Sequence, residues 1–177
     1  MIINKKMSEM IYSSLEFGAF KSENEQYDEE VSGKGYDITD EVGANILDYR
    51  IKKISYILKE NERIDKIKLE YINKKDGTSK IIETPSWDEV KGNEEAFELE
   101  DDEEIKNIKI YLKDIKLLGF EILTNKGKNK KIGFGEESEV NTQKDLENGS
   151  KLIIGFGFNA SKVHGVYSIR FYYIDKK

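Results

Sequence analysis

Cysteine is missing from this 177-residue chain, and its absence excludes three kinds of chemistry. The protein cannot form disulfide bonds, cannot bind a metal through thiolates and cannot use a cysteine nucleophile. Its stability must therefore come from packing. Proline, tryptophan and histidine occur once each, as Pro85, Trp87 and His164, so any chemistry that depends on histidine would have to use a single residue.

The chain also lacks a long apolar run and an excess of positive charge. No segment approaches the roughly 18 apolar residues of a membrane span, and the apolar stretch at the start, in MIINKKMSEM, is too short for a signal-peptide core. We therefore expect a protein with no membrane span that is cytoplasmic, with secretion by another route, or trimming from a longer protein, as the alternatives. The net charge of −6, from 35 acidic and 29 basic side chains, argues against nucleic acid and anionic membranes as partners.

Catalytic and metal-binding patterns are absent as well. Ser161 precedes His164 by three residues, but the chain has no Gly-x-Ser-x-Gly nucleophile turn to complete a hydrolase site. The acid-rich segment Glu94–Glu104 lacks the alternating acids and the glycine of a helix-loop-helix calcium loop. The lysine-rich hairpin Lys126–Lys131 lacks the glycine-rich helix start of a phosphate site. The sequence therefore predicts no enzyme, no cofactor and no metal.

One apolar spacing, repeated five times, dominates the rest of the chain. Apolar residues recur at steps of three, two and two, and mainly Lys, Glu, Asp, Asn and Arg lie between them. Steps of two place side chains on one face of a strand, and the first step of three breaks that period. The pattern predicts an all-β protein whose antiparallel sheets each turn one face to the core. The copies begin at Ile51, Ile64, Ile105, Ile115 and Val166.

Turn signals separate these strands. Asp76-Gly77 predicts a hairpin turn, because glycine adopts the left-handed conformation without strain. Pro85–Asn93, which contains Trp87, is predicted to be a loop. Glu30–Asn45 is predicted to be an inserted, mobile loop, because its glycines lie among polar residues.

The chain also contains motifs that resemble a known family. Four segments, in this order, are similar to the jacalin-related lectins: RIDKIKLEYINKKDG, FELEDDEEIKNIKIYL, IKLLGFEILTNKGKNKKIGFG and LIIGFGFNASKVHGVYSI. The more specific parts are Phe-x-x-x-Thr-Asn-Lys-Gly at Phe120–Gly127, the turn Ile132–Gly135 and the pair Gly155-Phe156. The resemblance covers roughly Tyr49 to Tyr173.

The fold implied by this resemblance is a β-prism I, made of three antiparallel four-stranded sheets with pseudo-threefold symmetry. Residues 46–177 would form this jacalin-like β-prism domain. Residues 1–45 would form an N-terminal extension with a first strand and a mobile acidic loop.

The resemblance also implies a sugar-binding site made of loops at one end of the prism. In sugar-binding members the last loop holds Gly-x-x-x-Asp, whose backbone amides and carboxylate bind adjacent hydroxyls of one sugar. Here Ala160 takes the glycine position and His164 the aspartate position. A neutral histidine accepts one hydrogen bond where a carboxylate accepts two. The candidate ligand-binding residues are Gly18, Ala19, Lys113, Asp114, Ala160, Ser161, Lys162, Val163 and His164.

Two functions compete on these residues. The family points to a non-enzymatic carbohydrate-binding module with a degenerate sugar-binding loop, whose ligand is a mannose-type glycan or a glycan of altered specificity. The alternative is a β-prism that has lost sugar binding and serves as a protein-protein interaction or docking module. Two features favour it: the family's glycine and aspartate are replaced, and the first loop, Lys21–Glu30, is acidic. A homo-oligomer suits either function, because several weak sites bind more tightly together than one.

Overall fold

The alternating apolar residues form long antiparallel strands. The computed structural model describes residues 12–14, 34–59, 63–85, 92–113, 116–134, 140–142, 151–162 and 164–176. A short helix, α1 (Ile38–Val42), and a 3-10 helix (Gly43–Asp48) precede the third strand. The strands within these ranges are β1 (Tyr12–Ser13), β2 (Lys34–Asp37), β3 (Tyr49–Lys59), β4 (Arg63–Asn73), β5 (Ser79–Glu83), β6 (Glu95–Glu98), β7 (Ile105–Lys113), β8 (Lys116–Thr124), β9 (Asn129–Gly133), β10 (Val140–Thr142), β11 (Lys151–Ser161) and β12 (Gly165–Asp175).

Each sheet is built around one central hairpin. The first sheet has the strand order β5-β4-β3-β6. Among the other described strands, the second sheet has the order β9-β8-β7-β10 and the third has the order β1-β12-β11-β2, and the residue pair Ile153 and Ile105 joins these two sheets. The three sheets have equivalent connections, because β1 and β2 flank β11–β12 as β5 and β6 flank β3–β4. This arrangement confirms the predicted prism of three four-stranded sheets.

The step of three in the repeated pattern is a β-bulge. The pairing of β3 with β4 skips one residue after Ile51, and the pairing of β7 with β8 skips one residue after Ile105. A bulge adds one unpaired residue, so apolar residues three positions apart still face the same side. Every strand of the three central hairpins contains such an extra residue: Lys52, Asp65, Lys106, Leu118, Ile154 and Tyr167.

The pattern is wrong at one position of β8. Leu118 was predicted to face the core, but Leu117 is the buried residue, at 2% exposure, and Leu118 is the extra residue of the bulge. Two adjacent leucines fit the pattern almost equally well, so spacing alone could not decide between them.

The inner faces of the sheets meet around aromatic rings. The ring centroids of Phe156 and Phe158 lie 5.9 Å apart, and each lies 6.2 Å from the centroid of Phe120. Tyr71 on β4 is fully buried, and its hydroxyl accepts a hydrogen bond of 3.1 Å from the backbone N–H of Phe156. Burial of each such side chain contributes about 1.5–3 kcal/mol to folding. The three sheets therefore share one core.

The predicted hairpin turn at Asp76-Gly77 is confirmed. Gly77 has a φ of 75°, in the left-handed region that favours glycine. The Asp76 carboxylate accepts hydrogen bonds from the backbone N–H and the hydroxyl of Thr78, at 2.9 and 2.7 Å. The turn between β8 and β9 has the same feature, because Gly127 has a φ of 77°.

Residues 34–48 differ from the predicted loop. They form β2, which pairs with β11, followed by α1 and the 3-10 helix. Asp37 caps α1 by accepting a hydrogen bond of 2.8 Å from the Thr39 N–H. Ile38 and Ile46 are fully buried over Gly155, where an added Cβ would lie 2.9 Å and 2.8 Å from their side chains.

The physical reason for this error is the length of the elements. A strand of four residues and a helix of five are too short to show a period. The division of the chain at residue 45 stays a prediction, although β1 and β2, which precede it, pair with β12 and β11. In the part of the chain that the structure describes, no helix is long and apolar enough to cross a membrane.

The packing of residues 38–48 on the third sheet can be tested by mutation. We expect Ile38→Ala to lower the free energy of unfolding by about 2–5 kcal/mol, because it leaves a cavity over Gly155. Ile81→Ala is the matched control, since Ile81 is 48% exposed on β5, and it should cost less than about 1 kcal/mol. Urea denaturation of both variants measures the difference, and equal losses would show that the segment is not part of the folded core.

Candidate functional site

The strand ends that bound the turns of the three central hairpins lie at one end of the prism, here called the hairpin end. Gly165 begins β12 with a φ of 63°, and an added Cβ would collide with the backbone oxygen of Ile64 at the start of β4. The Ile64 side chain in turn lies beside Gly133, whose backbone packs against Leu118 on β8. The hairpin end therefore brings together Lys59, Arg63, Lys113, Lys116, Ser161 and Gly165, which bound the three turns.

A hydrogen bond spans the turn between β11 and β12. The His164 N–H donates a hydrogen bond of 3.2 Å to the Ser161 hydroxyl, which is only 2% exposed. This short-range bond holds the turn closed. Ala160 is fully buried, Lys162 is exposed and His164 is half-buried. Among the described residues of this turn, the side chains presented to solvent are therefore Lys162 and part of His164.

The structure describes only some of the other predicted site residues. Lys113 is exposed at the tip of β7 and pairs in register with Lys116. Gly18, Ala19, Asp114 and Val163 lie outside the described residues, as does Trp87. The structure thus brings Lys113 and the residues 160–162 and 164 to the hairpin end, and their role in binding stays a prediction.

The beginning of β2 also lies at the hairpin end. Lys34 pairs in register with Ala160, next to the β11–β12 turn. The last described residue before it, Ser14, exchanges two hydrogen bonds with the Phe171 backbone, at 2.8 and 3.0 Å. Ser14 and Lys34, the described residues on either side of residues 15–33, are therefore both held on the sheet that contains the β11–β12 turn.

A buried ion pair at the hairpin end was missed by the sequence analysis. Asp65 is fully buried, and its carboxylate lies 3.1 Å from the guanidinium of Arg63, which also packs beside Gly165. Asp65 is the extra residue of the bulge in β4. The sequence does contain a sign of this ion pair, because the oppositely charged Arg63 and Asp65 lie on either side of Ile64, where a strand is predicted to begin. A buried carboxylate needs such a partner, so this pair ties the β3–β4 tip to the β11–β12 turn.

The acidic turn Glu100–Glu104 lies at the opposite end of the prism, and two lysines bind it. Lys126 contacts the carboxylates of Glu100 and Asp102, at 2.8 and 2.5 Å. Lys128 contacts Glu103 at 2.6 Å. Both lysines belong to the lysine-rich hairpin Lys126–Lys131. Among the described residues, no group of three or more histidine, aspartate or glutamate side chains could hold a metal ion.

Glu103 is the buried member of this charge network. Its carboxylate accepts hydrogen bonds from the Thr124 hydroxyl at 2.7 Å and from the Glu100 N–H at 3.1 Å. Burial raises the pKa of Glu103, but the hydrogen bonds, led by that of Lys128, outweigh burial and hold the pKa below its usual value. The ionised form therefore stabilises the turn that closes this end of the prism.

Comparison with known proteins supplies the context of this geometry. The sequence profile of the Jacalin-like lectin domain family matches residues 29–172. A search of curated protein sequences finds no significant match.

Solved structures share the fold at low sequence identity. The wild-type Malaysian banana lectin is 16% identical, with a TM-score of 0.62, and the match covers 94% of this chain and 100% of that chain. The mannose-binding lectin from Champedak is 19% identical, with a TM-score of 0.62 and coverage of 94% and 99%. Calsepa lectin, solved in complex with a biantennary N-glycan, is 15% identical, with a TM-score of 0.64 and coverage of 94% and 98%.

The charge network predicts a specific loss of stability in acid. Because the pKa of Glu103 is lowered in the folded state, its contribution is complete above the unfolded pKa of about 4.3 and is lost as the pH falls through the folded value. Glu103→Gln should remove this contribution and flatten the dependence of unfolding free energy on pH below about 5. Urea denaturation at several pH values tests this, with the exposed Glu94→Gln as control. The same slope in the native chain and Glu103→Gln would contradict it.

Proposed function

The chain belongs to the Jacalin-like lectin domain family, and from this membership we propose that it binds mannose-type glycans at the hairpin end. The family is one of lectins and not of enzymes, in agreement with the predicted absence of catalysis. The observation that carries the proposal is that the strand ends of the three central hairpins lie together at one end of the prism. The β11–β12 turn is one of the three turns at this end, and a hydrogen bond from the His164 N–H to the Ser161 hydroxyl spans it.

Two similar structures support a glycan as the ligand class. The Champedak protein is described as a mannose-binding lectin, and Calsepa lectin was solved with a biantennary N-glycan. Both share the fold of this chain over nearly its whole length.

Lys162 and His164 supply the hydrogen bonds that this chain offers to a sugar from the last turn. The exposed ammonium of Lys162 donates to sugar hydroxyls. In its neutral form the half-buried His164 would accept one hydrogen bond where the family has a carboxylate that accepts two. Single-site affinity should be weak, with a dissociation constant of about 1 mM, and a homo-oligomer would raise it by avidity.

A docking function is the second candidate, and the burial of Ala160 favours it. Because Ala160 is fully buried and Ser161 nearly so, the turn presents no carboxylate and few acceptors to a sugar. Exposed lysines at Lys113 and Lys162 suit an acidic protein surface instead. In this case the prism would keep the family fold and would bind a protein partner at the same end.

Binding at the hairpin end can be tested with matched lysine variants. On a glycan array we expect the native chain to bind mannose-terminated glycans and Lys162→Ala to lose about tenfold in affinity, because a charge-assisted hydrogen bond is removed. Lys75→Ala, at the opposite end of the prism, should bind like the native chain. An array on which the folded native chain binds no glycan would refute the proposal, as would equal binding by Lys162→Ala.

Restoring the family motif separates the two candidate functions. The double variant Ala160→Gly, His164→Asp should strengthen binding of mannose-type glycans about tenfold, because a carboxylate accepts two hydrogen bonds from adjacent hydroxyls. Isothermal titration with mannose measures the change. If only the double variant binds, the native site has lost sugar recognition and the docking function is favoured.

A further inference from the structure

A polar cleft of about 180 Å³ lies on the outer face of the third sheet, next to the hairpin end but not part of its turns. Ile169 and Phe171 of β12 are fully buried in the core, so Ser168 and Arg170 project from the opposite face of the strand. The segment that continues from β2 into α1 crosses this face and forms the other wall. The cleft is lined mainly by Tyr36, Asp37, Asp40, Asn159, Ser168 and Arg170. We call it the outer cleft.

Hydrogen bonds already order the walls of the outer cleft. The Tyr172 hydroxyl donates to the Asp37 carboxylate at 2.5 Å, and the Thr39 hydroxyl donates to the same carboxylate at 2.8 Å. On the opposite wall the Asn159 amide donates to the Ser168 hydroxyl at 2.9 Å. Polar groups held in place in the free protein lose little entropy when a ligand binds, so this cleft has the character of a formed site.

Two glycines let the walls of the outer cleft lie close together. An added Cβ on Gly157 would collide with the Asp37 carboxylate, and an added Cβ on Gly35 would lie 3.3 Å from the Asn159 side-chain oxygen. Neither glycine has a positive φ, so their backbone conformation does not require glycine. The absence of side chains instead allows β2 and Asp37 to lie close to β11.

The size and lining of the outer cleft indicate a neutral polyol. A space of about 180 Å³ equals roughly six water molecules at about 30 Å³ each, which is the scale of one sugar ring. The carboxylates of Asp37 and Asp40 stand against the single guanidinium of Arg170, which disfavours an anion. Carboxylate, amide and guanidinium groups bind adjacent hydroxyls, and the ring of Tyr36 supplies an apolar surface for the C–H face of a sugar.

We propose that the outer cleft is a second carbohydrate subsite that takes one neutral hexose unit. This inference rests on the proposed lectin function and adds a site to it. Asn159 lies two residues from Ser161 along β11, a distance of about 7 Å. One oligosaccharide could therefore reach from the β11–β12 turn to the cleft.

Nuclear magnetic resonance on the isotope-labelled full chain tests this proposal, with free mannose, glucose and galactose as probes. We expect at least one of these sugars to shift the backbone amides of Gly35, Gly157 and Asn159 in a saturable manner. Asp40→Asn and Arg170→Ala should each lower the affinity for that sugar about tenfold, because each removes a charge-assisted hydrogen bond. Asp175→Asn is the matched control on β12, and it should bind like the native chain. Unchanged amide positions elsewhere report that each variant is folded.

The outcomes separate the outer cleft from the hairpin end. Shifts confined to Lys113, Lys162 and His164 would overturn the cleft proposal and leave the proposed function intact. Shifts at the cleft alone would support the second subsite and refute binding at the hairpin end. Cleft shifts that Asp40→Asn and Arg170→Ala leave unchanged would overturn the assignment of these residues as the binding groups. Absence of any shift with all three sugars would overturn both proposals.

Discussion

The whole fold depends on one shared core. Phe120 belongs to the second sheet, Phe156 and Phe158 belong to the third, and Tyr71 of the first sheet hydrogen-bonds to the backbone beside them. No sheet can bury its inner face alone, so each is stable only when the other two are present. The bulges bend the six central strands so that three flat faces can meet along one axis. The strand ends of the three central hairpins then lie at one end. The packing of the sheets alone therefore brings the predicted binding turns together.

Much of this architecture could be predicted from the sequence, because strands of nine to eleven residues repeat their apolar period often enough to be recognised. The repeated step of three, seen in the sequence only as a break in the period, corresponds to β-bulges in the structure. Residues 34–48 could not be predicted in the same way. The structure of this segment depends on the packing of Ile38 and Ile46 over Gly155, which lies more than a hundred positions away in the sequence. A pattern that is read locally cannot show a contact of this kind.

The candidate site was predictable only where family motifs named its positions. Spacing and order placed Ala160 and His164 in the last turn, and the structure puts that turn at the hairpin end. The Arg63–Asp65 pair and the paired charges of the acidic turn could not be predicted, because charged side chains look alike in a sequence until their partners are known. Glu103 and Lys128 are separated by 25 positions, yet they share one hydrogen-bond network. Lys113 and Lys162, which are exposed, lie at the end of the prism where a ligand is expected.

The third sheet has a consequence for how the chain reaches its native state. Its outer strands come from the beginning of the described chain and its central hairpin from the end, so Tyr12 must find Tyr173. The other two sheets are each contiguous in sequence, so the strands that pair within each of them are synthesised close together. Closing the long loop between β1 and β12 is entropically costly and slow. Until β11 and β12 have been synthesised, β1 and β2 have no partner, and the inner faces of the first two sheets remain open. A chain of this design should therefore need protection from aggregation during translation, and a circular permutant that joins the strands of the third sheet in sequence should fold faster.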